Sequence, residues 1–267
     1  MKSKMIIILS NVFLLLGFVI TTIGPEAVHA GLIAYYDFEG DANDSSGNGY
    51  NGSVHEAVLT SAGYYGQAFS FDGSNDYISV NLNINPSIMP KLTMGAWVKA
   101  FSENPIRQVI SHDNGGYDRS LGIDHRGNTS FPNPPYDTSG WSAFSDGSSV
   151  LGHFDVTLSE WTFVAAVYDQ TQKDVMLYVN GMTMSEYADM QSGKTYLRIG
   201  SNPGYGEYFH GYIDEVFFFD EALSITQLNN IRANGVAPIP EPATILLLGS
   251  GLAGLAGLRR NVRKRRR

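Results

Sequence analysis

Short apolar or alternating runs recur along the chain between clusters of Gly, Asn, Asp and Ser: 32–38, 67–71, 76–80, 92–100, 106–111, 119–124, 161–168, 174–179, 196–200 and 209–219. Runs of this length, rich in Val, Ile, Tyr, Phe and Trp and bounded by turn formers, predict strands. Their spacing predicts an all-β sandwich or barrel rather than alternating β and α units. Asn180-Gly181, directly after DVMLYV, predicts a two-residue hairpin turn, because both positions accept positive φ. Residues 169–173 predict the turn joining the runs on either side of them. The run 209–219 is apolar on both faces. Strict alternation sends Tyr212, Val216 and Phe218 one way and Ile213, Phe217 and Phe219 the other. Asp214 and Glu215 then interrupt one face each, and a buried carboxylate needs a partner, a metal or an opening to water. One helix is legible. Ser224 as N-cap with Gln227 three residues on, a Leu223–Leu228 staple and Gly235 as terminator predict a short helix over 225–233.

The ends follow a different pattern. Lys2 and Lys4 precede an apolar run from Met5 to Ile20, followed by the small-residue triplet Val28-His29-Ala30. This is the layout of a cleavable secretory signal over 1–30; the run is short for a membrane span. At the other end, Pro240-Glu241-Pro242 is followed by an apolar and small-residue stretch, 243–258, and then by seven basic residues between Arg259 and Arg267. A basic cluster holds its end of such a segment in the cytoplasm. The three parts in this order resemble the PEP-CTERM sorting signal of Gram-negative, exopolysaccharide-producing bacteria. The resemblance implies transient membrane insertion through 243–258, recognition by an exosortase-type protease and removal near Pro-Glu-Pro. A permanent C-terminal anchor is the alternative. The expected organisation is thus a signal peptide (1–30), one domain (31–236) and a sorting tail (237–267).

Charge sharpens this division. The whole chain carries −8, from 26 acidic and 18 basic residues. The ends hold nine of the basic residues and two of the acidic ones, so 31–238 keeps nine basic against 24 acidic, a net −15. A domain of that charge excludes nucleic acid as a partner and suits hard cations. No cysteine is present, which excludes disulfide scaffolds, thiolate metal sites and thiol chemistry.

Seven segments then fall in a familiar order: YYDFEGDANDSSGNGYNG (35–52), FSFDGSNDYISV (69–80), LTMGAWVKA (92–100), WTFVAAVYD (161–169), VMLYVNG (175–181), LRIGSN (197–202) and FHGYIDEVFFFDEALS (209–224). Together they resemble a laminin-G-like jelly roll of the concanavalin-A-like lectin/glucanase superfamily. The resemblance implies two packed antiparallel sheets with a concave face, used mostly for binding, to which the residues add one short C-terminal helix. The departure is 127–153, richer in Pro, Gly and aromatics than a short loop.

Three kinds of site are candidates. Asp44 lies in a Gly/Ser-rich turn with Asn48, and Asp72-Gly73-Ser74-Asn75-Asp76 forms a second oxygen-rich turn. Relatives of this fold often hold a structural Ca²⁺ near the chain ends, which makes Asp44 and Asp214 the candidate metal ligands; Asx-turn bonding explains the same residues without an ion. For glycan binding, Tyr117, Tyr136, Trp141 and Tyr205, with Phe144 and Tyr208, lie in stretches that read as loops, where exposed rings with nearby Asp, Asn and Arg119 suit sugars. Trp97 and Trp161 read as core. For catalysis, glucanases of this superfamily carry carboxylates at alternating positions of one strand. The nearest run, Glu39-x-Asp41-x-x-Asp44, continues into a turn, and Asp214-Glu215 is an adjacent pair expected on opposite faces. The histidines at 55, 112, 125, 153 and 210 have no metal-ligand spacing, and no Gly-x-Ser-x-Gly or phosphate loop is present. The expectation is therefore a non-catalytic exported module. Its partner would be an extracellular polysaccharide or matrix protein at the cell surface or in the exopolysaccharide matrix, with a divergent glycosidase as the lesser alternative.

Overall fold

The computed structural model describes residues 31–116, 118–124, 140–146, 149–189 and 191–236. The signal segment 1–30, the tail 237–267 with its apolar stretch 243–258, and the candidates Tyr117 and Tyr136 lie outside the described residues.

Fifteen strands and one helix follow in order: β1 Leu32–Tyr36, β2 Gly52–His55, β3 Val58–Thr60, β4 Ala68–Asp72, β5 Tyr77–Val80, β6 Lys91–Ala100, β7 Arg107–Ser111, β8 Ser120–Asp124, β9 Gly140–Asp146, β10 Ser149–Asp155, β11 Trp161–Asp169, β12 Asp174–Val179, β13 Met182–Tyr187, β14 Leu197–Ile199, β15 His210–Phe219 and α1 Ile225–Asn234. An eight-stranded sheet runs β13-β12-β11-β6-β15-β4-β3, with β1 also on β15. A seven-stranded sheet runs β10-β9-β8-β7-β14-β5-β2. The named pairings are antiparallel, as a jelly roll requires.

All ten strand runs of the sequence appear, as do the hairpin at Asn180-Gly181, with φ of 50° and 101°, and the turn between β11 and β12. The helix is capped as expected. The Ser224 side chain accepts from the Gln227 amide, the Gln227 side chain accepts from the Ser224 amide, and Leu223 and Leu228 are both buried.

The main core lies between the sheets, where Tyr36, Phe71, Val98, Ile110, Ile123, Ile199 and Phe218 meet. A second apolar cluster covers the outer face of the eight-stranded sheet. Trp97, Phe163, Phe217 and Phe219 pack there under Leu228 and Ile231 of α1, with Trp161 at the margin. Tyr64 stacks on Trp97, ring centroids 3.5 Å apart. Among the described residues, both clusters draw on positions spread from Leu32 to Val236.

The expected alternation fails at one point in β15. Asp214 pairs with Trp97 but Phe217 pairs with Gly95, so β15 carries one extra residue: a β-bulge. Glu215 sits in it with φ 54°. The strand also changes partner there, pairing β4 through Ile213 and β1 from Val216. The bulge resets the faces. Ile213, Val216 and Phe218 all enter the inter-sheet core, whereas Phe217 and Phe219 face outward and Tyr212 packs against Phe101. Asp214 and Glu215 consequently share the outer face instead of taking one face each. Asp214 Oδ2 accepts from the Tyr64 and Tyr65 amides at 2.8 and 3.1 Å, and Glu215 Oε2 accepts from the Tyr35 hydroxyl at 2.6 Å.

Candidate functional site

The outer face of the seven-stranded sheet has a different character. Alternation along β7, β8 and β9 sends Ile110, Leu121, Ile123, Trp141 and Ala143 into the core and leaves Gln108, Ser120, Gly122, Ser142 and Phe144 on the other face. On this face lies a cavity of about 210 Å³. Its floor is Gln108, Ser120 and Phe144; its wall is Asp113, Gly115, Tyr205 and Glu207.

Glycine shapes the cavity at two points. A Cβ on Gly122 would come within 2.3 Å of the Arg107 carbonyl oxygen and 2.7 Å of Gln108 Oε1, so only glycine lets the Gln108 amide lie across β8. A Cβ on Gly115, where φ is 120°, would meet the Tyr205 hydroxyl at 2.8 Å, so the ring closes over the loop only because nothing projects there.

The wall is held by Asn202. Its Nδ2 donates to Asp113 Oδ2 at 2.9 Å and to Glu207 Oε2 at 3.0 Å, while its Oδ1 accepts from the Gly204 and Tyr205 amides. Glu207 Oε2 also accepts from Gln108 Nε2 at 3.0 Å, and the Gln108 amide donates to the Glu207 carbonyl. The 202–207 loop is therefore fastened to β7, and Tyr205 projects from it, 66 % exposed. Ser120 Oγ shares a 2.6 Å hydrogen bond with Ser111 Oγ. One buried atom is left over. Gln108 is 2 % exposed and its Oε1 accepts no hydrogen bond.

Chemically the cavity is rich in acceptors. Asp113, Glu207, Gln108 and Ser120 line it with two aromatic residues, and no cationic side chain does. That set matches a polyhydroxylated ligand, whose O–H groups donate and whose C–H faces stack on rings. Asp113 and Glu207 are held together by the one amide nitrogen of Asn202. Just behind the wall, burial and the neighbouring Asp113 push the Asp118 carboxyl above its usual range, and Asp118 Oδ1 is buried without a partner.

The glycan candidates separate. Tyr205 and Phe144 come together in the cavity. Arg119 and Trp141 are corrections: Arg119 immediately precedes β8 and Trp141 lies in β9, and both are buried. Arg119 Nη1 donates to the Ile84 and Met89 carbonyls at 2.9 and 2.7 Å, and the guanidinium lies 5.3 Å from the Tyr168 ring centroid. Trp141 alternates with Ser142 and points between the sheets, so neither side chain reaches a surface ligand. Trp97, read as core, is buried under Tyr64.

The metal candidates sit in separate amide cages. Asp44 accepts from the amides of Tyr35, Ser46 and Tyr50, which outweigh its burial and lower its pKa. Asp214 accepts from the Tyr64, Tyr65 and Glu215 amides. The 72–76 turn has the same Asx character, with Ser74 N donating to Asp72 Oδ1 and Asp72 N to Asp76 Oδ2. Among the described residues, no three His, Asp or Glu side chains are grouped to hold an ion.

Sequence reasoning missed Gln108, Asp113, Ser120, Asn202 and Glu207. They lie on four separated segments of the chain, and only the sheet register brings them to one cavity.

Comparison with known proteins bears on both the domain and the tail. A family model described as the concanavalin A-like lectin/glucanases superfamily matches residues 72–229, and one described as the PEP-CTERM protein-sorting motif matches 238–261. No curated protein matches the chain. Among solved structures, domain 4 of AbnA, a GH43 extracellular arabinanase from Geobacillus stearothermophilus in complex with arabinotriose, is similar at 19 % identity and a TM-score of 0.57, over 76 % of this chain and 98 % of that one. The binding domain of botulinum neurotoxin serotype D is similar at 20 % identity and a TM-score of 0.56, over 76 % of this chain and 51 % of that one. The binding domain of botulinum neurotoxin DC in complex with SialylT gives 14 % and 0.55, over 79 % and 52 %. The chain thus spans nearly all of the arabinanase domain but about half of the neurotoxin ones. At these identities the likeness is one of fold.

Proposed function

The chain belongs to the concanavalin A-like lectin/glucanase superfamily, and from that premise we propose that it is an exported, non-catalytic module that binds extracellular glycan in the cavity on the outer face of the seven-stranded sheet. The observation that carries this reading is the cavity lined by Gln108, Asp113, Ser120 and Glu207 beside the exposed Tyr205 ring. The similar arabinanase domain was solved with an arabinose oligosaccharide, which supports a glycan as the ligand class. The sorting motif supports delivery to the cell surface or exopolysaccharide matrix of a Gram-negative bacterium, with exosortase-type processing near Pro240-Glu241-Pro242.

Calorimetry of the 31–238 domain against neutral oligosaccharides and the host's own exopolysaccharide tests this. Tyr205→Ala is expected to weaken binding about tenfold, the loss of roughly 1.4 kcal/mol of ring contact, with little change in thermal midpoint because the ring is exposed. Gln108→Leu is expected to weaken it further. Binding that neither substitution alters removes the cavity from the reading. A domain that takes up no glycan but retains a specific protein partner after glycan removal overturns the reading in favour of a protein-binding matrix component.

Calcium belongs to the same proposal as a structural ion in the oxygen-rich turns. The midpoint is then expected to rise in millimolar Ca²⁺ and fall with chelator, and scanning calorimetry that shows no movement in either direction removes the ion.

A further inference from the structure

We propose that Arg198, held over the ring of Tyr77, is an anion subsite for a carboxylate or sulfate-ester substituent of the bound glycan chain. The inference rests on the glycan reading above and adds the chemical class of the ligand.

Arg198 is the middle residue of β14. Leu197 and Ile199 on either side of it are fully buried in the core, so the Arg198 side chain leaves on the outer face, the cavity's face. The register fixes its neighbours. Arg198 is opposite Ser79 on β5 and Ser111 on β7, Ser111 is opposite Ser120 on β8, and Ser120 is opposite Phe144 on β9. Arg198 therefore lies on the same cross-strand row as two residues of the cavity floor. At about 4.8 Å between strands, β14 is roughly 10 Å from β8, a separation that an oligosaccharide spans.

The guanidinium is pre-positioned. Its central carbon is 3.8 Å from the Tyr77 ring centroid, and Tyr77 is backed in turn by the His55 ring at 4.5 Å and 25°. Such a stack holds a cation over an aromatic face while leaving its edge N–H groups free to face a ligand.

The guanidinium has no partner of its own. Arg198 makes no hydrogen bond or ion pair among the described residues, and its buried Nε has no acceptor. This contrasts with the other described arginines. Arg107 donates to the carbonyls of Gly73, Asn104 and Tyr208, Arg119 to those of Ile84 and Met89, and Arg232 to that of Asn180. Lys91 and Lys173 pair with Asp169 and Asp189. With 24 acidic residues to nine basic ones in 31–238, an arginine that pairs with none of them is available to an external oxyanion. The fork of a guanidinium fits a carboxylate or a sulfate bidentately, and the Ser79 hydroxyl on the neighbouring strand lies within a cross-strand pair's reach to add a donor.

The test uses the ¹⁵N-labelled 31–238 domain and follows the Arg198 Nε–H resonance alongside the Gln108 side-chain amide. Sodium glucuronate is expected to shift the Arg198 signal saturably, with glucose at equal concentration leaving it in place and added salt weakening the response. Arg198→Gln should bind an acidic oligosaccharide at least tenfold more weakly than the parent and a neutral one equally well. Arg198→Lys should recover only part of the loss, because an ammonium lacks the fork. Inorganic sulfate and a sulfated oligosaccharide distinguish a sulfate ester from a uronate. A response to inorganic sulfate alone, with none to glucuronate, acidic or sulfated oligosaccharides, identifies a free-anion site and overturns the glycan subsite. An Arg198 signal unmoved by every anion, or an acidic oligosaccharide bound equally by Arg198→Gln, overturns the proposal outright. If glucuronate shifts Arg198 while no glycan moves Gln108, the cavity reading fails and the anion site stands.

Discussion

Replacing Arg119 by alanine is expected to lower the stability of the domain by about 3–5 kcal/mol, a fall in thermal midpoint on the order of 10 °C, while leaving the cavity lining in place. The side chain is fully buried, and burial pulls its pKa down to about 10. It remains worth its desolvation because Nη1 ties together the Ile84 and Met89 carbonyls, and the Tyr168 ring lies beneath the guanidinium. Truncation would leave a cavity and two carbonyls without a donor. Lysine should rescue little, since one ammonium on a flexible stem does not reproduce the planar fork. Chemical denaturation of both variants, with glycan titration alongside, checks this. An Arg119→Ala protein with the parent's stability and reduced glycan affinity would return Arg119 to the ligand-contact role its sequence neighbourhood suggests.

The second large effect is on pH dependence. Burial raises the Asp214 carboxyl to about 7 even though it accepts amide hydrogen bonds, and the adjacent Glu215 adds repulsion. Glu215 is likewise raised to about 7, chiefly by burial, with Asp37 and Glu39 adding repulsion and the Tyr35 hydroxyl working against it. Both folded pKa values exceed the unfolded ones near 4. The stability these groups contribute is therefore fully present below about pH 4 and is lost as pH rises towards 7, on the order of a few kcal/mol for the pair. His112 opposes them. Burial lowers its pKa from 6.5 to about 4, so its contribution is present above 6.5 and lost on acidification. Two carboxyls against one imidazole leave a net gain on acidification, and the thermal midpoint is expected to fall between pH 5.5 and 7.5. In an Asp214→Asn/Glu215→Gln double variant the slope should vanish or reverse, because His112 then dominates. Thermal melts across this range decide it; a double variant with the parent's slope removes the pair as the cause.

That pair also shows where reading the chain stops. Strict alternation along 209–219 separates Asp214 from Glu215, and the bulge unites them. Nothing within the run marks Glu215 as the extra residue. The bulge lies where β15 changes partner from β4 to β1, so its cause is in strands far away in the chain. The missed strands have related causes. β9 carries Ser, Ala and Gly among its aromatics and reads as loop, yet it alternates between the core and the cavity, which is how Trp141 and Phe144 come to face opposite ways. β2 and β3 are short and mostly exposed, with too little apolar periodicity to stand out. β13 follows the Asn180-Gly181 turn, so the hairpin implied a partner strand, but its exposed positions hid it.

The sequence by itself determined the all-β class, the capped C-terminal helix, the C-terminal sorting motif and the acidity of the chain before it. Each of these depends on residue type and local spacing, and neighbours along the chain are enough to decide it. Only the tertiary structure decided which polar residues meet. Gln108, Asp113, Ser120 and Glu207 converge on one cavity whose wall Asn202 holds, Arg198 joins their face, and Arg119 is withdrawn into the core. These outcomes follow from which strand lies beside which and in what register, and that depends on the packing of the whole sandwich.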